Sequence, residues 1–159
     1  MAKLQPSLLD RLTDQNPEKK KESSAEQVLS QREYKAAVIR DLGWLLNSIS
    51  IDTVVDLDAY PQVRHSVLNY GLPDISGHTA SSIDTVVLEK NLRKVIYEFE
   101  PRIIPNSLKV RVNPEDMSHN SLEFRIEGAV FEQPMPFQVN LRSRLDLESV
   151  EFQVSEDSG

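Results

Sequence analysis

Tyr97-Glu98-Phe99-Glu100-Pro101-Arg102-Ile103-Ile104-Pro105-Asn106-Ser107-Leu108-Lys109-Val110-Arg111-Val112 is the stretch in which the hydrophobic period of the chain changes. Upstream of it, Ile83, Val87, Leu88, Leu92, Val95, Ile96 and Phe99 recur at the spacing of one helical face, with Lys90, Arg93 and Lys94 largely opposite. Pro101 ends that helix, because a proline pushes the residue before it out of the helical region. Beyond Pro105, Leu108, Val110 and Val112 alternate with Lys109 and Arg111, the period of a strand with one buried face.

The alternation continues in Leu122, Phe124 and Ile126 against Glu123, Arg125 and Glu127, then in Phe137, Val139 and Leu141, in Leu145 and Leu147, and in Val150, Phe152 and Val154. Glu148-Ser149 reads as a tight reversal, and Pro114 with the Pro134/Pro136 pair marks the other turns. Upstream, Ser23 with Glu26 and Ser24 with Gln27 fit the capping box, so a first helix is expected to start there. Its expected buried face is Val28, Ala36, Ile39, Leu42, Leu46 and Ile49. Gly43 inside this helix costs about 1 kcal/mol relative to alanine, which predicts a close backbone approach or a slight bend. Between the helices, Pro61, Gly71, Pro73 and Gly77 break the chain into a connector with a helical turn or two around Gln62 to Leu68. Thr79, Ser81 and Ser82 are the expected caps of the second helix.

Helices first and strands afterwards predict an α+β fold: two main amphipathic helices plus a short one, packed on one face of an antiparallel sheet of about four strands. The expected organisation is a flexible leader and linker over 1–22, one domain over 23–154 and a disordered tail over 155–159. The leader contains Pro6, Pro17 and the charge run Glu18-Lys19-Lys20-Lys21-Glu22, which suit a solvated segment.

The 159 residues suit one modest core, and none of the segments reaches the roughly 20 apolar residues of a membrane helix. Met1-Ala2-Lys3-Leu4-Gln5-Pro6 lacks a signal-peptide apolar region, so a bacterial cytoplasmic location is expected. The chain has no cysteine, which removes disulfides, thiolate chemistry and sulfur-ligated metals. A net charge of -7 opposes capture of nucleic acid or insertion at an anionic membrane. His65, His78 and His119 are scattered, without the spacing of a metal site, and neither a Gly-rich phosphate loop nor a Gly-x-Ser-x-Gly elbow is present. No cofactor or metal is expected. Glu98, Glu100, Glu123, Glu127, Asp74 and Asp146 are candidates for the acid pair of a glycoside hydrolase, but 6% aromatic residues leave few rings to line a sugar cleft, so no catalytic residue is expected.

Two places point to partners. Glu100 lies at the negative end of a helix dipole, an arrangement disfavoured by about 0.3 to 1 kcal/mol, so it needs a counterion. Arg102 is the nearest, and Pro101 fixes the backbone between them. The pair is either a preset polar clip at the junction of helix and sheet or an exposed ion pair worth about 0 to 1 kcal/mol. In the leader, Leu8, Leu9 and Leu12 fall at helical spacing after Pro6-Ser7, and this stripe either folds back on its own domain or meets a partner.

Glu100-Pro101-Arg102 resembles the Glu-Pro-Arg motif of the phage baseplate wedge and sheath-initiator family, which includes the TssE proteins of type VI secretion. Arg40-Asp41-Leu42-Gly43-Trp44-Leu45-Leu46-Asn47, Ser66-Val67-Leu68-Asn69-Tyr70-Gly71-Leu72-Pro73-Asp74 and Leu122-Glu123-Phe124-Arg125-Ile126-Glu127-Gly128 resemble the same family in the same order. Ser7-Leu8-Leu9-Asp10-Arg11-Leu12 resembles the leader of its secretion-system members. Where the family often turns basic after the Leu-Leu-Asn, this chain has Ser48-Ile49-Ser50, which removes the charge such a contact would use. The resemblance implies a non-enzymatic subunit at the baseplate on the inner face of the cytoplasmic membrane. It would join a wedge with TssF, TssG and TssK and offer the sheath proteins TssB and TssC their first docking surface. Glu100, Pro101, Arg102, Leu8, Leu9 and Leu12 are the expected partner-binding residues. A tail-lysozyme activity, a label the family has carried, and a small cytoplasmic regulatory adaptor are the alternatives.

Overall fold

The computed structural model describes residues 7–13, 30–77, 82–112, 120–131 and 135–157. A one-turn helix α1 (Leu8–Leu12) precedes the long helix α2 (Gln31–Leu46). A connector follows with a short helix α3 (Pro61–Arg64) and 3-10 turns at Ile51–Thr53 and Val67–Asn69, then the second long helix α4 (Thr85–Phe99). Four strands complete the chain: β1 (Lys109–Val112), β2 (Ser121–Val130), β3 (Phe137–Asp146) and β4 (Glu151–Glu156). They form an antiparallel meander in the order β1-β2-β3-β4, with α2 against β4 and α4 against β1. This is the α+β arrangement that the change of period predicts.

The inward side of the sheet carries Val110, Val112, Leu122, Phe124, Ile126, Val139, Leu141, Leu145 and Phe152, all buried, and the helices close over it with Val38, Leu42, Leu45, Leu46, Leu88, Leu92, Val95 and Ile96. Ser143 takes an inward position in β3, and its hydroxyl is buried without a hydrogen-bond partner among the described residues. The sequence pattern skips it because a serine breaks the apolar alternation. β3 runs unbroken to Asp146, so Leu147 belongs to the following turn rather than to a separate strand. Asp146 Oδ1 accepts the backbone N–H groups of Glu148 and Ser149, which forms the expected reversal and leaves Val150 at φ 55.

The helix boundaries differ from the expected ones. Helix α2 opens at Gln31, where Ser30 and Glu33 make a complete reciprocal capping box, with Ser30 N–H donating to Glu33 Oε2 at 2.8 Å. Ser23, Ser24 and Val28 lie outside the described residues. The buried residues of α2 are Ala37, Val38, Leu42, Leu45 and Leu46, and Ile39 packs partly against the core. Ala36 and Ile49 are exposed, Ile49 because the helix has already ended at Leu46. Gly43 answers to no close approach: outside its own stretch of helix, a Cβ built there meets no atom of the described residues within 4 Å. Helix α4 is capped by Asp84, whose Oδ1 accepts from Val86 and Val87 N–H at 2.9 and 3.2 Å, not by Ser82. Thr79 and Ser81 lie outside the described residues. Val87 is half-exposed, one position off the face formed by Leu88, Leu92, Val95 and Ile96.

The connector is tied to the end of α2 at one point. Ser50 N–H donates to Leu72 C=O and Leu72 N–H to Ser48 C=O, at 2.9 and 2.8 Å. Gly71 stands against this crossing at φ 125, where a Cβ would lie 2.3 Å from Ser48 O, so only glycine fits.

Candidate functional site

Helix α4 ends where its C-cap, Glu100, donates its N–H to Ile96 C=O. Past Pro101 the chain turns and is caught by the end of β2: Ile103 bridges Val130, Phe131 N–H donates to Arg102 C=O, and Ile104 N–H donates to Ala129 C=O. The backbone on both sides of Arg102 is therefore fixed before any side chain acts.

The guanidinium of Arg102 closes on Glu100. Nε donates to Oε1 at 2.6 Å, Nη2 to Oε2 at 2.5 Å, and the backbone N–H of Arg102 adds a bond to Oε1 at 3.2 Å. Only 4% of Glu100 is exposed, so the reading of this pair as an exposed ion pair does not hold. Pro101 itself is exposed and sits at the turn between them. Two fork bonds in a site this dry make the stronger kind of hydrogen bond, with geometry fixed as well as charge.

Three further residues complete the site, and none of them was singled out in the sequence for this role. Asp41 on α2 accepts from Arg102 Nη2 at 2.6 Å through one oxygen, and from Arg40 Nη2 and Nε at 2.7 and 2.9 Å through the other. Arg40 Nη1 then donates to Asp10 of the leader at 2.5 Å. The charges form one alternating chain, Asp10, Arg40, Asp41, Arg102 and Glu100, linking leader, first helix and helix–sheet junction. Aromatic rings flank it: the Arg40 guanidinium lies 4.8 Å from the Trp44 ring centroid and that of Arg102 lies 5.9 Å from Tyr34. The Arg-Asp pair was visible in the sequence at Arg40-Asp41, but its partner is distant along the chain, which one sequence does not disclose.

The electrostatics follow from this chain. Burial opposes the charge on Arg102, but the hydrogen bonds and charges of Glu100 and Asp41 outweigh it and hold the guanidinium more firmly protonated than usual. The Arg40 bond holds the Asp10 carboxyl below the usual range against a smaller opposing effect of burial, and Ser7 helps. Tyr70 is pushed up by burial and then by the negative charges of Asp41 and Glu100. Arg102 Nη1 is buried without an acceptor among the described residues.

Among the described residues the leader is held through its polar side. Ser7 caps α1 through Asp10 N–H, and Asp10 is anchored to Arg40. Leu8, Leu9 and Leu12 stay 71%, 49% and 75% exposed, so this turn does not bury its stripe on its own domain. Among the described residues no group of His, Asp and Glu is placed to hold a metal, and no helix is long and apolar enough to cross a membrane.

The family model described as baseplate wedge protein gp25 matches residues 32–135, well over half of the chain. That match contains α2 from its second residue, the connector, α4, the Glu100–Arg102 clip and the strands β1 and β2, and stops before β3 and β4. Comparisons with curated proteins and with solved structures find no match. With the matched residues spanning both long helices and the buried clip between helix and sheet, the chain belongs to the baseplate wedge protein gp25 family.

Proposed function

We propose that this protein is a structural baseplate component of a type VI secretion system that joins the wedge and starts sheath polymerisation by offering a sheet edge. The observation that carries the reading is the state of the two outer strands. On β1, Val112 N–H is turned away from β2 and is taken by Glu89 Oε1 of α4 at 2.7 Å. On β4, the Asn47 side chain acts as a one-residue strand, its Oδ1 accepting from Phe152 N–H and its Nδ2 donating to Phe152 C=O, both at 2.8 Å. Residues two apart on a strand point their N–H and C=O to the same side, so Val154 turns its pair outward just beyond the Asn47 cap. An extended arm of a sheath subunit, of TssB or TssC, extends the sheet from there by main-chain hydrogen bonds.

The buried clip gives this edge a stiff base, since Glu100, Pro101 and Arg102 lock the junction from which the sheet springs. The exposed Leu8, Leu9 and Leu12 are the contact to a wedge subunit, TssF, TssG or TssK, on the inner face of the cytoplasmic membrane. A non-enzymatic role fits the placement of the acids. Glu100 has both oxygens engaged by Arg102, Glu98 meets His65, and Asp74 and Asp146 hold loop N–H groups, each in a different place.

The test is Val154→Pro, which removes the outward N–H and leaves the bonds between β3 and β4 in place. The variant is expected to stay folded by circular dichroism and to assemble no sheaths in cells. Normal sheath numbers would refute the edge reading.

A further inference from the structure

On the solvent side of the sheet the strand register places Arg111 opposite Arg125 and Arg125 opposite Arg142. Three arginines from three adjacent strands thus form one cross-strand row, and all three are exposed. Directly opposed residues lie about 4.5 to 5.5 Å apart, where like charges destabilise the pairing. The row lies on a chain of net charge -7, so surplus basic residues do not account for it. Its own counterions are few and loose. Asp157, held just past β4 by its N–H on Asn140 C=O, stands 3.3 Å from Arg125 Nε and 3.6 Å from Arg142 Nη2, and Glu123 stands 3.9 Å from Arg142. Among the described residues Arg111 meets no carboxylate.

We infer that this arginine row docks an acidic segment of a protein partner, with carboxylates meeting Arg111, Arg125 and Arg142 in turn. The occupant is fixed by charge complementarity at two scales. Guanidinium forks match carboxylates bidentately, and Asp157 already occupies one end of the row as such a carboxylate does. A phosphate polymer or an anionic lipid surface would also cover the rest of this side. There Arg144 and Lys109 stand opposite Glu123 and Glu127, but Asp146 and Glu151 face each other without a cation between them and repel it, whereas side chains of a folded partner reach the row alone. The site uses the sheet face rather than its rim and stands apart from the edge reading.

The full chain is titrated into a fluorescein-labelled peptide with glutamate at alternate positions, followed by anisotropy at low and near-physiological salt. Binding is expected at low salt and to weaken as salt screens the row. Arg125→Gln with Arg142→Gln is expected to weaken it about tenfold, the sum of two surface pairs. Asp157→Asn, which frees the row, is expected to tighten it. Arg111→Glu reads the same row should the double variant fail to fold. Equal losses from Lys90→Gln with Arg93→Gln on α4, no loss from the row variants, or equally tight binding of duplex DNA or of phosphatidylserine vesicles would each overturn the inference.

Discussion

Replacing Arg102 by methionine keeps most of the volume of the side chain and removes its charge. The replacement strands Glu100, which is 4% exposed and receives its side-chain bonds from Arg102. Removing one partner of a buried pair costs about 3 to 5 kcal/mol, because the remaining charge has neither water nor counterion. Asp41 loses one bond as well but keeps Arg40, and its oxygens are partly solvated, so it adds little. Against a total stability of about 5 to 15 kcal/mol, Arg102→Met is expected to lose about a fifth or more. Glu100→Leu is milder, about 1 to 2 kcal/mol, because Arg102 still donates to Asp41 and is the more exposed of the two. The double variant places apolar side chains where the pair stood, and such replacements come out near neutral. The two losses are therefore strongly non-additive: with the double variant near neutral, the coupling equals the sum of the two single losses, about 4 to 7 kcal/mol. Urea unfolding followed by far-UV circular dichroism on the four proteins measures it. A loss below about 1 kcal/mol for Arg102→Met, or additivity within about 0.5 kcal/mol, would show that the clip contributes no more than a surface pair. The folded double variant then separates folding from assembly: if it supports sheath formation, the clip serves the fold alone.

Gly71→Ala is expected to destabilise the protein by about 2 to 5 kcal/mol in the same assay, since the new Cβ lies 2.3 Å from Ser48 O at φ 125 and the clash is with backbone. Gly43→Ala goes the other way: the site is open and helical, so a gain of about 0.5 to 1 kcal/mol is expected, read as a higher urea midpoint. Leader docking is expected to hold without change across about pH 6 to 8, because a lowered carboxylate pKa gives a contribution complete above the ordinary value of 3.8 and lost only as pH falls through the depressed one. A fluorophore on Leu12→Cys, in a chain with no other cysteine, reads the leader directly, and Arg40→Gln is expected to free it at neutral pH.

The elements were legible wherever a short-range period carried them. The α4 stripe, the stop at Pro101 and the alternation of the four strands depend on neighbours three, four or two residues away, so the chain discloses them locally. The start of α2 was also written in the sequence as Ser30-Gln31-Arg32-Glu33, a capping box of the same form as those at Ser23 and Ser24. Position alone does not choose between such boxes. The phase of α2 slipped for a related reason: Ala36 and Ile49 fit the period, but Val38 and Leu45 face the sheet. Which side of a helix is buried depends on what lies beneath it.

From its residues alone the chain specifies two amphipathic helices, an antiparallel sheet, a junction marked by Glu100-Pro101-Arg102 and a leucine-bearing leader, because propensity, period and proline act over a few residues. Tertiary structure decided that Glu100 is buried, that Asp41 and Arg40 carry its charge network out to Asp10, that Asn47 and Glu89 seal parts of the two outer strands, and that three arginines share one row. Each of those is a meeting of residues far apart in the chain, and such a meeting has no local signature: it exists only once the register of the strands and the angle of the helices bring the groups within a few ångströms of one another.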